Sequence, residues 1–173
     1  PTDEIMGLFK KNGSFLCTTI SPALPYALFD RSVSCASEVE QYNGNMVFEG
    51  IIANSKAALE QGVPVALGND VGCPWITQYD FWRELRYFEK YVGVSRSFAL
   101  YTATLRNAQL AGVGDVTGSI EVGKDADMIV VDANPLDDLC ALRTPKHVIH
   151  RGRFIAKPNV KRNAVVEIGR AHV

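Results

Sequence analysis

The chain is poor in the residues that build disulfide frameworks and zinc knuckles: it carries four cysteines and three histidines in 173 residues. Cys17, Cys35, Cys73 and Cys140 are scattered, with no Cys-x-x-Cys pair. That spacing argues against a disulfide scaffold and for reduced thiols in a cytoplasmic setting, with one incidental disulfide as the alternative. Basic residues never run longer than two, and 18 Lys and Arg against 19 Asp and Glu leave a net charge of -1. Nothing here resembles a phosphate-backbone footprint, so no nucleic acid is expected as a partner. No apolar run approaches the roughly 20 residues that span a bilayer, and the opening PTDEIMGLFKKNG has no signal-peptide core. Membrane partners are therefore not expected. The chain also lacks an initiator Met, as expected of a processed N-terminus or of a piece cut from something longer.

What is present suits one or two folded domains. With 47% hydrophobic residues the chain can bury a sizeable core. Thr2 before Asp3 and Glu4 reads as a helix start, with Ile5, Leu8 and Phe9 on one face and Gly13 at the end. SFLCTTI, residues 14 to 20, reads as a buried strand. The following SPALPYALFD is broken by Pro22 and Pro25 into an expected loop. A helix is expected over about 47 to 61, then a strand in GVPVALGNDVG, residues 62 to 72. TQYDFWRELRYFEKYVG and SRSFALYTATLRNAQLAG read as two more helices, and their Trp82, Tyr and Phe stripe reads as core packing before it reads as a ligand wall. From about 113 the texture changes to glycine turns, a strand at 128 to 132, a tight hairpin in HVIHRGRFI turning on Arg151-Gly152, and AVVEI as a last candidate strand. The order is that of an α/β unit followed by a small β unit.

The candidate site sits in GVPVALGNDVG. Val63, Val65, Ala66 and Leu67 make the apolar run of a buried parallel strand. Asp70 lies just past its C-terminal end, where ligand sites collect in parallel α/β folds. The bland alternative is that Asp70 only makes a turn. His147 and His150 tempt a metal reading, but strand side chains three apart point to opposite faces and cannot easily share one ion. Ser21, Ser32, Ser34 and Cys73 have no adjacent histidine or Gly-x-Ser-x-Gly elbow. GVGDVTG lacks the Lys-Ser/Thr of a phosphate loop and reads as a linker. Asp125 and Asp127 read as turn formers, and His172 in the terminal IGRAHV is given no role. Pro74, Trp75 and Tyr79 are candidates for shaping a pocket at the strand end. The segments 26 to 45 and 73 to 78 are expected to be loops facing it.

The stretch GSIEVGKDADMIVVDANPLDDLCALRTPKHVIHRGRFI, after TATLRNAQLAG, resembles the C-terminal part of the metal-dependent amidohydrolase superfamily, in particular its imidazolonepropionase-like and Xaa-Pro dipeptidase-like members. Gly118, Ile120, Gly123, Ala126, Asp127, Asn134, Pro135, Leu136, Val148 and Gly152 carry the match. The resemblance implies an α/β fold: the end of a TIM-type (β/α)8 barrel over residues 1–112 and part of a small β-sandwich domain over 113–173. It implies that Asp70 occupies the place of the Asp after the eighth strand, a metal ligand that also takes the proton from the attacking water. Family members usually have Thr or Ser before this Asp, where this chain has Asn69. The cofactor implied is a divalent metal, zinc by preference, and the activity implied is hydrolysis of C-N bonds in a small amide or dipeptide-like substrate. The family's remaining ligands, a His-x-His on the first strand, a carboxylate or carboxylated Lys on the fourth and histidines after the fifth and sixth, have no counterpart here. A zinc site takes about three protein ligands plus water, so the isolated chain is expected to be inactive and to bind zinc weakly. Unpaired strand edges are expected to be covered by a homo-oligomer or by the missing barrel half. The alternatives are a non-catalytic assembly module and, for the parent, a deaminase of cyclic amidines or nucleobases.

Overall fold

The structure is a computed structural model, and it describes residues 2–170. The first helix, α1 (Asp3–Lys11), starts where Thr2 accepts a hydrogen bond from the Ile5 N–H at 3.3 Å; Asp3 and Glu4 lie in its first turn and Lys10 and Lys11 in its last. Charges of those signs oppose the helix dipole at both ends. Met6 is the side chain that α1 buries. Strand β1 (Leu16–Thr18) is the next element.

The proline-broken stretch is not an open loop. It forms two single-turn helices, α2 (Leu24–Ala27) and α3 (Arg31–Ser34). Pro25 falls in the first turn of α2, where its missing N–H costs nothing. The long helix α4 (Glu38–Glu60) starts nine residues earlier than its apolar spacing suggests. A capping box starts it: Ser37 Oγ accepts from the Glu40 N–H, and the Glu40 carboxylate accepts from the Ser37 N–H at 2.8 Å. Most of segment 26 to 45 is therefore helical.

Helix α2 lies against α4 at Gly44. A Cβ placed there would meet Tyr26 Cβ at 2.4 Å and the Tyr26 carbonyl carbon at 2.9 Å. Gly44→Ala is expected to lower stability by about 1–2 kcal/mol despite alanine's better helix propensity, because a backbone must move. At Gly50, in the same helix, nothing lies within 4 Å of such a Cβ. Gly50→Ala should raise stability by up to about 1 kcal/mol. Thermal melts of the two variants should therefore shift in opposite directions.

Strand β2 (Val65–Leu67) pairs in parallel with β1, Leu16 opposite Val65 and Thr18 opposite Leu67. Two helical runs come next. The first is α5 (Phe81–Tyr87), prolonged by a π-helical turn at Phe88–Val92. The second is α6 (Arg96–Tyr101), a π-helical turn at Thr102–Arg106 and α7 (Asn107–Leu110). Ile20, Leu24, Ala58, Val65, Leu85 and Phe88 form the centre of the core between strands and helices. Trp82 is 7% exposed, so the aromatic stripe is core.

The last third carries an antiparallel sheet of β3 (Met128–Val130), β4 (His147–His150) and β5 (Arg153–Ile155). Arg151 and Gly152 both have positive φ, 49° and 76°, as the two-residue hairpin turn demands. Asp127 pins that turn by accepting from the Arg151 N–H at 2.8 Å and the Thr117 hydroxyl at 2.9 Å. These bonds, the Arg151 one above all, hold its carboxyl below the usual Asp range. AVVEI is not a strand: it lies in helix α8 (Ala164–Arg170), capped where Asn163 Oδ1 accepts from the Val165 N–H at 3.1 Å. Glu167 ties α8 to Arg143 at 2.8 Å and Arg162 at 3.5 Å. His172 lies outside the described residues.

Candidate functional site

Parallel pairing brings the C-terminal ends of β1 and β2 to one end of the small sheet, and the loops beyond them meet there. The last rung is the Gly68 N–H donating to the Thr18 carbonyl at 2.9 Å. Gly68 permits this close approach, since a Cβ there would lie 3.0 Å from Cys17 Sγ. Two residues on, Asp70 adopts φ 52°, a left-handed conformation that Asp and Asn tolerate better than most side chains. Its side chain is exposed.

The loop after Asp70 folds back on it. The Cys73 N–H donates to the Asp70 carbonyl at 3.2 Å, and Cys73 Sγ–H donates to Asp70 Oδ2 at 3.0 Å. That second bond, more than burial, holds the Cys73 thiol above its ordinary value, so it stays protonated beside the carboxylate. Trp75 takes φ 71° and sets its ring edge-on to Phe29, centroids 5.4 Å apart. This contact ties the Asp70 loop to the segment following α2. Of the three residues proposed to shape a pocket, Trp75 therefore joins the two strand-end segments and Pro74 is exposed. Tyr79 is turned to the C-terminal segment: its hydroxyl accepts from the Asn163 N–H at 2.7 Å, and Arg162 lies 5.1 Å over its ring.

Two residues that sequence reasoning passed over hold the strand ends. Glu84 of α5 is completely buried and accepts from the Ile20 N–H at 2.7 Å, the Ser21 N–H at 2.9 Å and Ser21 Oγ at 2.5 Å. It fixes the chain just beyond β1. Burial first, and then the Glu84 charge, raises the Cys17 thiol above its ordinary value. Asn107, first residue of α7, bonds both main-chain groups of Leu67 at the end of β2: the Leu67 N–H donates to Oδ1 and Nδ2 donates to the Leu67 carbonyl, each at 2.8 Å. The Asn107 contacts join residues 40 positions apart and the Glu84 contacts residues 63 and 64 apart, and no local pattern announces them.

Among the described residues, His147 and His150 stay away from this site. His147 Nδ1 meets the Ala156 carbonyl at 3.0 Å and His150 Nδ1 meets Asp127 at 2.9 Å, both in the hairpin. Ser21 is consumed by Glu84. Cys17, Cys35, Cys73 and Cys140 are all free. Among the described residues, no three His, Cys, Asp or Glu side chains gather where they could hold a metal ion. Asp70 can supply one ligand. A catalytic zinc takes about three protein ligands and a water, so the described residues do not fit one by themselves. Among the same residues no helix is long and apolar enough to cross a membrane.

The exposed Asp70, just past the end of a parallel strand, lies within a stretch that is similar to known proteins. The amidohydrolase family model matches residues 11–155, and the chain belongs to that family. A provisionally assigned prolidase from Bifidobacterium longum superposes with a TM-score of 0.94 at 37% identity, over 99% of this chain and 44% of that one. A Xaa-Pro dipeptidase with methionine bound in its active site superposes with a TM-score of 0.75 at 30% identity, over 90% of this chain and 37% of that one. The imidazolonepropionase of Thermoplasma volcanium is 26% identical over 105 residues, 59% of this chain and 26% of its own length. The chain thus spans about a quarter of that enzyme and less than half of either solved structure.

Proposed function

We propose that this chain is the C-terminal part of a metal-dependent hydrolase of C-N bonds in small amides or dipeptides, with Asp70 as its proton-accepting carboxylate. Residues 1–112 are the last β/α units of a TIM-type barrel, and 113–173 belong to a small β-sandwich domain. The observation that carries the reading is Asp70, exposed just past the C-terminal end of a parallel strand, within the stretch that matches the amidohydrolase family. Similarity to a Xaa-Pro dipeptidase and to an imidazolonepropionase supports hydrolysis at carbon–nitrogen bonds.

The chemistry asked of Asp70 is a proton transfer in two stages. As a water oxygen bonds to the substrate carbonyl carbon, the carboxylate accepts the water's proton. As the C-N bond breaks, it returns that proton to the leaving nitrogen, giving a carboxylic acid and an amine. The loop holds the group ready: one oxygen is fixed by Cys73, and the main chain is fixed by the Cys73 N–H. The described residues do not hold a divalent metal by themselves; in the full-length protein Asp70 would be one of its ligands, and the metal would polarise the attacked carbonyl.

The test is product analysis with the full-length protein on Xaa-Pro dipeptides, N-acyl amino acids and cyclic amidines. Free amine and carboxylate should appear in equal amounts without ammonia. Ammonia from the cyclic amidines, with the peptides untouched, would make the parent a deaminase instead. The isolated 173-residue chain, given added zinc, should show no turnover and only weak heat of binding. Clear turnover by it would contradict the need for ligands from elsewhere.

A further inference from the structure

The edge of β2 away from β1 is held by a side chain. In a parallel pair the main-chain groups of successive residues face alternate edges, so Gly68 bonds to Thr18 on one side while Leu67 faces the other. On that other side Asn107 donates to the Leu67 carbonyl and accepts from its N–H, both at 2.8 Å. An amide carries a donor group and an acceptor in a single plane, so it reproduces what a neighbouring strand would offer. Asp offers two acceptors and Leu neither group.

The route by which Asn107 arrives there is itself specific. A π-helical turn at Thr102–Arg106 ends immediately before it. One residue more in a helix rotates every later side chain by about 100°, given 3.6 residues per turn. The π turn thus contributes to the direction in which Asn107 faces, which is towards Leu67 of β2.

We propose that Asn107 is the positioning residue for Asp70. With Thr18 bonded to Gly68 on one edge and Asn107 bonded to Leu67 on the other, the strand's end is fixed from both sides. The direction in which the chain leaves through Gly68 and Asn69 is then set, and so is the place of the carboxylate three residues beyond the clamp. This rests on the reading of Asp70 as the reacting carboxylate, and the two ideas fail separately.

The first measurement needs no substrate. Amide exchange and backbone resonances are recorded on the 173-residue chain carrying Asn107→Ala, Asn107→Asp or Gln109→Ala. Leu67 amide exchange should accelerate about tenfold or more in Asn107→Ala, and the Asp70 resonance should move, while Gln109→Ala changes neither. Should Asn107→Ala fail to fold, Asn107→Asp carries the test through the Asp70 resonance and the Leu67 carbonyl shift, since it still accepts from the Leu67 N–H but loses the donor to the Leu67 carbonyl. The second measurement is kinetic, on the full-length protein. Asn107→Asp should lower kcat by about tenfold to a hundredfold with KM within about twofold, the pattern of a misplaced reacting group. Unchanged Leu67 exchange with an unmoved Asp70 resonance would overturn the clamp. A rise in KM at constant kcat would overturn its positioning role. Turnover persisting in Asp70→Asn would sink the reading of Asp70 while leaving the exchange result intact.

Discussion

Glu84→Ala is expected to cost about 3–5 kcal/mol of folding stability and to lower the thermal midpoint by roughly 10 °C. The reason is arithmetic on buried donors. The carboxylate accepts from the Ile20 N–H, the Ser21 N–H and the Ser21 hydroxyl, and it is completely buried. Truncation leaves those three donors without their acceptor in a site water does not reach, at about 1 kcal/mol or slightly more each, and adds a cavity. Glu84→Gln should cost less, because it keeps one acceptor oxygen while turning an NH2 towards a donor. The control is Glu38→Ala, which removes an exposed ion pair with Arg31 at 3.1 Å and should move the midpoint by no more than about 2 °C. Circular dichroism melts of the three variants decide the matter. A Glu84→Ala midpoint close to that of wild type would show that the strand end does not depend on this carboxylate.

The elements readable from sequence are those whose signals are local. Thr2 with Asp3 and Glu4 marks α1, and Arg151-Gly152 marks the hairpin, because capping and turn chemistry act within a few residues. The apolar run before Asp70 marks β2, although hydrogen bonding defines only Val65–Leu67 of it. The first half of helix α4 is legible only from its cap. Val39, Met46 and Val47 are exposed there, so no apolar stripe announces that half, while Ser37-x-x-Glu40 does. AVVEI misleads because five residues of mixed character fit either period; Asn163 and the arginines around Glu167 decide for a helix. The proline-broken stretch after β1 misleads because proline in a first turn starts a helix rather than stopping one. At the site, Asp70 is visible from its place after a strand. Glu84 and Asn107 are not, since each acts on main chain far away in sequence and looks there like an ordinary helix-surface residue.

Asp70→Asn in the full-length protein is expected to reduce kcat/KM for C-N hydrolysis by about 10³-fold or more while leaving the fold intact. A positioned general base contributes about 10²–10⁴-fold, and an amide at this position can accept no proton at neutral pH. Stability should not change with it. Asp70 is exposed, its φ of 52° suits asparagine as well as aspartate, and the amide oxygen can still accept from Cys73. The separation of rate from stability distinguishes a reacting group from a turn residue, the bland reading of a carboxylate after a strand. The decisive measurement is the initial rate of dipeptide or N-acyl amino acid hydrolysis by wild type and Asp70→Asn, taken beside their melting curves. Superimposable melts are expected, with the variant's rate at least about a thousandfold lower. A variant that melts normally and keeps its rate within about tenfold of wild type would contradict the assignment of Asp70 as the reacting carboxylate.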